Sequence, residues 1–401
     1  MNRRIALGPV IALLCVSIVL TAVVTRAWVK RTYNEMLAGL PEQAARYEIL
    51  DELDDVLRAH YYSSSDNAAM RRAIAQGYIS GLPDGYSCYL TAQKLKEYQN
   101  EAIGEMRGIG VEYSKTSSSQ MLVEDVMDAS PAAQAGVKAG DAIVAVESIP
   151  IDASNYDEMA QKLTSDKLSS LTITTVRNGG AEHSLTMPMG FEAASVISDH
   201  YEDIGYLKLT AFYATTPAQV KTAVDAFLQS GVRALVIDLR KNNSENVQYA
   251  MQTLDVFVPL SDAPAMRLVD QNGGAIDSYM TDAAAVNLPI AVLVSSGTQA
   301  AAELFACDLR DFGKASLVGT KTKGLGLVRQ LFKLSNGDAV LLCVGEMLPY
   351  RSDSFHDKGL EPDLRAQAGE KASALEKDSQ FLAAVSLLRN EHDVNEQEEA
   401  P

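Results

Sequence analysis

A chain of 401 residues carrying 52 acidic against 35 basic side chains, for a formal net charge of −17, is long enough for two to three domains with a sizeable core. Its acidity argues against nucleic acid or an anionic lipid surface as a partner, because both require a basic face. The four cysteines, Cys15, Cys88, Cys307 and Cys343, show neither metal-ligand spacing nor evident pairing. They read as buried free thiols, and neither a metal nor a cofactor is expected.

In chain order, Ile5 to Val24 is an uncharged run preceded by Arg3 and Arg4. As a helix it would span a hydrocarbon core of roughly 30 Å. No small-x-small cleavage site follows, so residues 1–30 are expected to be an uncleaved transmembrane anchor. Residues 31–105 read as a helical region, with Ile49, Leu50, Leu53, Val56 and Leu57 at helical spacing, interrupted at Gly81-Leu82-Pro83-Asp84.

The next segment opens with Arg107-Gly108-Ile109-Gly110-Val111, where small glycines let successive backbone N–H groups converge on a terminal carboxylate. Downstream, in SPAAQAGVKAGDAIVAVESIPI, Ser130 and Pro131 open a helix, Gly136 ends it, and Gly140-Asp141 turns into a strand from Ala142 to Val146. Together the two motifs resemble a PDZ domain over residues 106–190. That resemblance implies an all-β/α module binding polypeptide C-termini as an added strand, with Arg107, Gly108, Ile109, Gly110 and Val111 as peptide-binding residues.

Residues 191–390 alternate between strands and helices. Gly205 to Phe212 reads as a strand, Pro217 to Ser230 as an amphipathic helix, and Ala234 to Leu239 and Ile290 to Val294 as buried strands of a mainly parallel sheet. Ala339 to Val344 follows the Asn336-Gly337 turn as part of a hairpin. A helix is expected near Asp378 to Leu388, and the acidic tail 391–401 is expected to lack structure.

Within this portion, Ile290 to Gln330 parses as strand, Gly turn, helix, strand and Gly-rich loop. A Ser-Lys hydrolase needs a serine at such a turn, an amine whose pKa burial lowers from roughly 10.4, and backbone donors for the oxyanion. The segment resembles the carboxyl-terminal processing peptidases, or tail-specific proteases. Their turn reads approximately G-S-A-S-A-S-E, against Gly297, Thr298, Gln299, Ala300, Ala301, Ala302, Glu303, so Ala300 holds the nucleophile position. Their loop reads approximately V-G-x-x-T-F-G-K-G-x-V-Q, against Val318 to Arg329, so Leu325 stands at the general base and Arg329 at its supporting Gln. Their D-L-R-x-N-P-G-G run, source of oxyanion donors, meets Asp238-Leu239-Arg240-Lys241-Asn242-Asn243-Ser244-Glu245, which places Ser244 and Glu245 at the Gly pair. ISGLPDGYSCYLTAQKLKEY and Gly359-Leu360-Glu361-Pro362-Asp363 are similar to further family segments.

The resemblance implies an α/β fold of crotonase/Clp-protease type with an inserted PDZ domain, and an N-terminal helical region behind a single transmembrane helix. The expected protein is a single-pass cell-membrane pseudopeptidase with its bulk extracytoplasmic. It would bind polypeptide C-termini, and its partners would be those C-termini and active relatives or a second copy. The alternatives are an active serine endopeptidase using a displaced pair, Ser296 with Lys321 or Thr298 with Lys323, and a structural oligomer with a vestigial PDZ domain. A shift of two residues turns a helical position to the opposite face, and a shift of four moves it about one turn, roughly 5.4 Å. His356 reads as a loop residue.

Overall fold

The computed structural model describes residues 40–165, 167–258, 260, 262–282, 286, 288–369 and 374–398, together with Thr21, Thr25 and Arg26. The chain divides into two units, Met1–Ala73 and Ile74–Pro401. In the first, helix α1 spans Leu40–His60, and helix α2, Asn67–Ser80, begins. Ile49, Leu53 and Val56 of α1 are exposed.

The expected transmembrane segment lies, apart from Thr21, outside the described residues. Among the described residues no helix is long and apolar enough to cross a membrane. Helix α1 has 21 residues but carries Glu48, Asp51, Glu52, Asp54, Asp55 and Arg58, charges that a bilayer core does not accept. The fold class is corrected accordingly, for the described residues, to an α/β peptidase-type domain with a PDZ domain and N-terminal helices, none of which can cross a membrane.

In the second unit, strand β1 (Cys88–Leu90) leads into helix α3 (Ala92–Ala102), whose N-cap Thr91 accepts from the Lys94 amide. Strand β2 (Glu105–Met106) then enters the PDZ domain, which comprises β3 (Val111–Lys115), β4 (Met121–Val126), α4 (Pro131–Gln134), β5 (Asp141–Val146), β6 (Ile149–Pro150), α5 (Tyr156–Leu163), β7 (Ser170–Arg177) and β8 (Glu182–Pro188). Its antiparallel sheet runs β3-β4-β5-β7-β8 with β6 on β5, closed over Ile109, Met121, Ile143, Met159 and Ile173. Strand β3 is an edge, so its outer backbone groups are open to pairing. Strand β9 (Phe191–Glu192) pairs with β2, so the two ends of the inserted domain leave side by side.

The peptidase-type domain continues with β10 (Val196–Tyr201), β11 (Ile204–Leu209), α6 (Thr216–Gln229), β12 (Ala234–Asp238), α7 (Val247–Leu254), β13 (Pro264–Val269), β14 (Ala275–Met280), β15 (Ile290–Val294), α8 (Ala301–Asp311), β16 (Ala315–Gly319), β17 (Leu327–Lys333), β18 (Ala339–Leu348), β19 (Leu364–Arg365) and α9 (Ser379–Glu398). One sheet runs β10-β11-β12-β15-β16-β19, parallel from β11 onward. Both faces are covered, which is why Ala234–Asp238 is buried throughout. Leu235, Ile237 and Val292 share a core with Phe305 of α8, while Val236, Ala291 and Leu293 face Phe381 and Val385 of α9. A second sheet is ordered β1-β18-β13-β14, with β17 against β18 as the expected hairpin.

Three local expectations differ from the structure. The strand expected to reach Phe212 ends at Leu209, because Thr210 turns to donate its hydroxyl to the Ala194 carbonyl at 2.6 Å. Helix α9 continues through Glu391 to Glu398, where no structure was expected. Of the thiols, Cys307 is buried but Cys88 and Cys343 are half-buried, and all three are free; Cys15 lies outside the described residues.

Candidate active site and peptide groove

The turn after β15 is tied down by its own hydroxyls. Ser295 Oγ donates to the Arg240 carbonyl at 2.7 Å, and Thr298 Oγ1 donates to the Leu239 carbonyl at 2.9 Å while accepting from the Ser295 amide at 3.0 Å. Chain direction reverses at Ala300, which has φ 50° and ψ −117° just before α8. A side-chain-bearing residue in that region is strained by about 1–3 kcal/mol and persists only where its surroundings impose it. Such a sharp strand-to-helix turn is the way a nucleophile is lifted out of a sheet.

The surroundings that impose it centre on Glu303, a fully buried carboxylate. Oε2 accepts from the amides of Ala300 at 3.1 Å and Leu325 at 2.8 Å; Oε1 accepts from the Gly324 amide at 2.7 Å and the Thr322 hydroxyl. Burial pushes its pKa up, and these four donors pull against that. One side chain thereby fastens the turn to the Gly-rich loop and brings Leu325 and Ala300 into a single buried apolar cluster. The motif comparison passed over this role. The available signal was a Glu three residues after the helix N-cap, the spacing at which a carboxylate reaches back to the cap amide.

The positions that the resemblance assigns to nucleophile and base carry a methyl and an isobutyl group, and neither can donate or accept a proton. The displaced pairs fare no better. Ser296 and Lys323 are exposed. Lys321 is exposed as well, with Nζ at 3.2 Å from Glu361 Oε1. Burial is what turns an amine into a base, and neither lysine has it. The Thr298 hydroxyl already donates to the backbone. His356 accepts from the Gly326 amide through Nδ1 at 3.3 Å, a structural contact within its loop.

The first backbone donor after the turn is already engaged. The Ala301 amide, the donor that follows a nucleophile at such a turn, is bonded to the Ser244 carbonyl at 3.0 Å. Next to it, Glu245 is held by Arg329, Nε to Oε2 at 2.9 Å with a second contact from Nη2 to Oε1, and Arg329 Nη1 reaches the Tyr86 carbonyl at 3.0 Å. The Asp-Leu-Arg frame survives for another reason. Arg240 bridges Asp238 of β12 and Asp378 at the start of α9, so it ties that helix to the sheet.

The PDZ groove is intact. Gly108 and Gly110 have φ of 79° and 78°. A Cβ on Gly108 would lie 2.3 Å from the Leu163 carbonyl oxygen, and one on Gly110 2.3 Å from Ser130 Cβ, so only glycine fits either position. Ile109 is buried in the PDZ core, which fixes the loop. Along edge strand β3, a cleft of about 1040 Å³ is bordered by Arg107, Ile109, Gly110, Val111 and Tyr113, by Leu163 at the end of α5, and by Lys96, Glu97 and Glu101 of α3. Arg107, expected as a peptide-binding residue, is ion-paired with Glu97 at 3.2 Å. Among the described residues, no group of His, Cys, Asp and Glu is arranged to hold a metal ion.

Residues 203–366 match the model of peptidase family S41, and residues 122–177 match a PDZ domain. A CtpA-like serine protease of Staphylococcus saprophyticus is 25% identical over 361 residues, covering 89% of this chain and 73% of the relative. One from Staphylococcus aureus is 27% identical over 361 residues, covering 88% and 71%. Two solved structures share the fold. The photosystem II D1 C-terminal processing protease matches with a TM-score of 0.54 at 21% identity, covering 83% of this chain and 90% of that one. An S41 protease of Bacteroides fragilis matches with a TM-score of 0.58 at 18% identity, covering 82% and 93%. Residues 203–366 are therefore a peptidase S41 domain and residues 122–177 a PDZ domain, in a chain similar to the CtpA-like serine proteases.

Proposed function

We propose that this chain binds polypeptide C-termini in its PDZ groove without cleaving them, as a regulator or adaptor beside active relatives. The observation that carries the reading is the joint placement of Ala300 and Leu325 in one buried apolar cluster, at the turn and loop where attack and proton abstraction would occur. The occupied Ala301 amide supports it, since an oxyanion formed there would meet no free donor from that amide. The groove supports the binding half. Among the described residues its lining includes the cations Lys96, Arg107 and Lys167 beside Glu97 and Glu101, and those cations can meet an incoming carboxylate.

Two measurements test the reading. The full chain incubated with unstructured polypeptides should give no cleavage above a Ser244→Ala, Ser296→Ala variant by mass spectrometry, and turnover that the double substitution abolishes would refute inactivity. Peptides with a free C-terminal carboxylate should bind more tightly than their amides, and equal binding would remove carboxylate capture.

A further inference from the structure

We infer that Glu97 is an internal competitor for the ligand's terminal carboxylate, occupying the guanidinium of Arg107 so that a peptide has to displace a side chain of helix α3 in order to bind. The inference rests on the C-terminus-binding reading and concerns the regulation of that site.

Helix α3 presents Gln93, Lys96, Glu97 and Glu101 to the cleft, spacings of three and four that share one helical face. On that face Glu97 Oε1 accepts from Gln93 Nε2 at 3.1 Å and from Arg107 Nη1 at 3.2 Å, so the carboxylate is aimed from its own helix toward the loop arginine. The Arg107 side chain is 17% exposed and that of Glu97 35%, so the pair is partly withdrawn from water. In that setting an ion pair is not erased by solvent screening, and a third carboxylate is not simply tolerated. Glu101, on the next turn, is already raised in pKa, first by burial and then by the charge of Glu97, with Arg107 opposing. An incoming carboxylate would add its charge to those of Glu97 and Glu101. The arrangement that avoids this is exchange, with Glu97 turning out to water as the ligand takes its seat.

The exchange needs no helix movement. Leu95 is buried among Leu90, Ala339 and Leu341, which fixes the backbone of α3 on the second sheet, while Glu97 itself is at the cleft surface. Only side-chain torsions must change.

The test is fluorescence polarisation with a labelled peptide that ends in an apolar residue with a free carboxylate, and with its amide, on the full chain carrying Glu97→Gln, Glu97→Ala or no substitution. Both variants should tighten binding of the acid about fivefold, the release of an ion pair worth about 1 kcal/mol, and leave the amide unchanged. Unchanged melting temperatures would show that α3 is intact, and agreement between the two variants guards against a local defect in either. If the parent prefers acid over amide and the variants bind the acid no more tightly, the competitor role is refuted while carboxylate capture stands. If neither parent nor variants distinguish acid from amide, carboxylate capture fails and this inference with it.

Discussion

Arg329 and Glu245 hold each other at the mouth of the strand-to-helix turn, Nε to Oε2 at 2.9 Å, although 84 residues separate them. By the resemblance in sequence, each stands where the processing peptidases carry an uncharged residue, a Gln and a Gly. Their side chains are 20% and 33% exposed, so either charge alone would be a partly desolvated ion without its partner. The two replacements are therefore one unit. Arg329→Gln alone should cost about 1–2 kcal/mol, less than a fully buried pair because water still reaches the site. Combined with Glu245→Gly, it should cost less than the sum of the single losses by about 1 kcal/mol. Urea unfolding of the four proteins checks this; strictly additive losses would show that the pair is uncoupled.

Placing a hydroxyl and an amine at positions 300 and 325 should not by itself give hydrolysis. Ala300→Ser with Leu325→Lys supplies a hydroxyl and an amine, but the Ala301 amide remains bonded to Ser244 and Glu245 remains beside it. Removal of one oxyanion donor typically costs 10²–10³ in rate, so Ser244→Gly and Glu245→Gly, which free the backbone to turn the residue 244 carbonyl off the Ala301 amide, together with Arg329→Gln should raise cleavage of an unstructured polypeptide at least about 100-fold over the double variant. A double variant as fast as the full set would mean that the Ala301 amide was never engaged.

What could be read from residue order, and what could not, divides along contact range. The PDZ loop was legible because Gly108 and Gly110 meet a local demand for left-handed backbone. Ala300 and Leu325 stand out in the sequence because each sits inside a short run whose other residues keep the types of the family motif. The pairing of Arg329 with Glu245, and of Arg107 with Glu97, depends on packing between distant segments, so each charge on its own looked solvated or misplaced. The end of β11 was missed because Thr210 reads as a good strand residue until its hydroxyl finds the Ala194 carbonyl. Glu303 belongs to the turn motif, but nothing in its neighbours announces that the amides of Gly324 and Leu325 converge on it from 21 and 22 residues away.

Glu303 should accordingly be the least replaceable side chain of the turn. Gln keeps one acceptor oxygen and places an NH₂ against N–H donors. Glu303→Gln should therefore destabilise by about 2–4 kcal/mol, two charge-assisted hydrogen bonds lost in a buried site. Hydrogen exchange should accelerate at Gly324 and Leu325 before it does in β12. A loss under 1 kcal/mol, or exchange unchanged at those two amides, would show that the loop holds its place by packing alone.

Asp308, on the buried face of α8, poses the opposite problem. Its Oδ1 accepts from the Tyr350 amide at 2.7 Å, while Oδ2 has no hydrogen-bond partner among the described residues. Burial, opposed by the Tyr350 amide and reinforced by the charge of Asp311, pushes the carboxyl well above its ordinary value of 3.8. A carboxyl raised on folding binds its proton more tightly in the folded chain than in the unfolded one. Its contribution to stability is full below the unfolded pKa and is lost as pH rises through the folded one. Asp308→Asn cannot ionise, so it should be more stable than the parent at pH 7.5 by about 1–3 kcal/mol, the penalty of an unsatisfied buried polar group, and the advantage should shrink toward pH 4. Urea unfolding at the two pH values decides the matter: a variant no more stable than the parent at pH 7.5, or a gap that ignores pH, would mean that water or a neighbouring group already satisfies the carboxylate in solution.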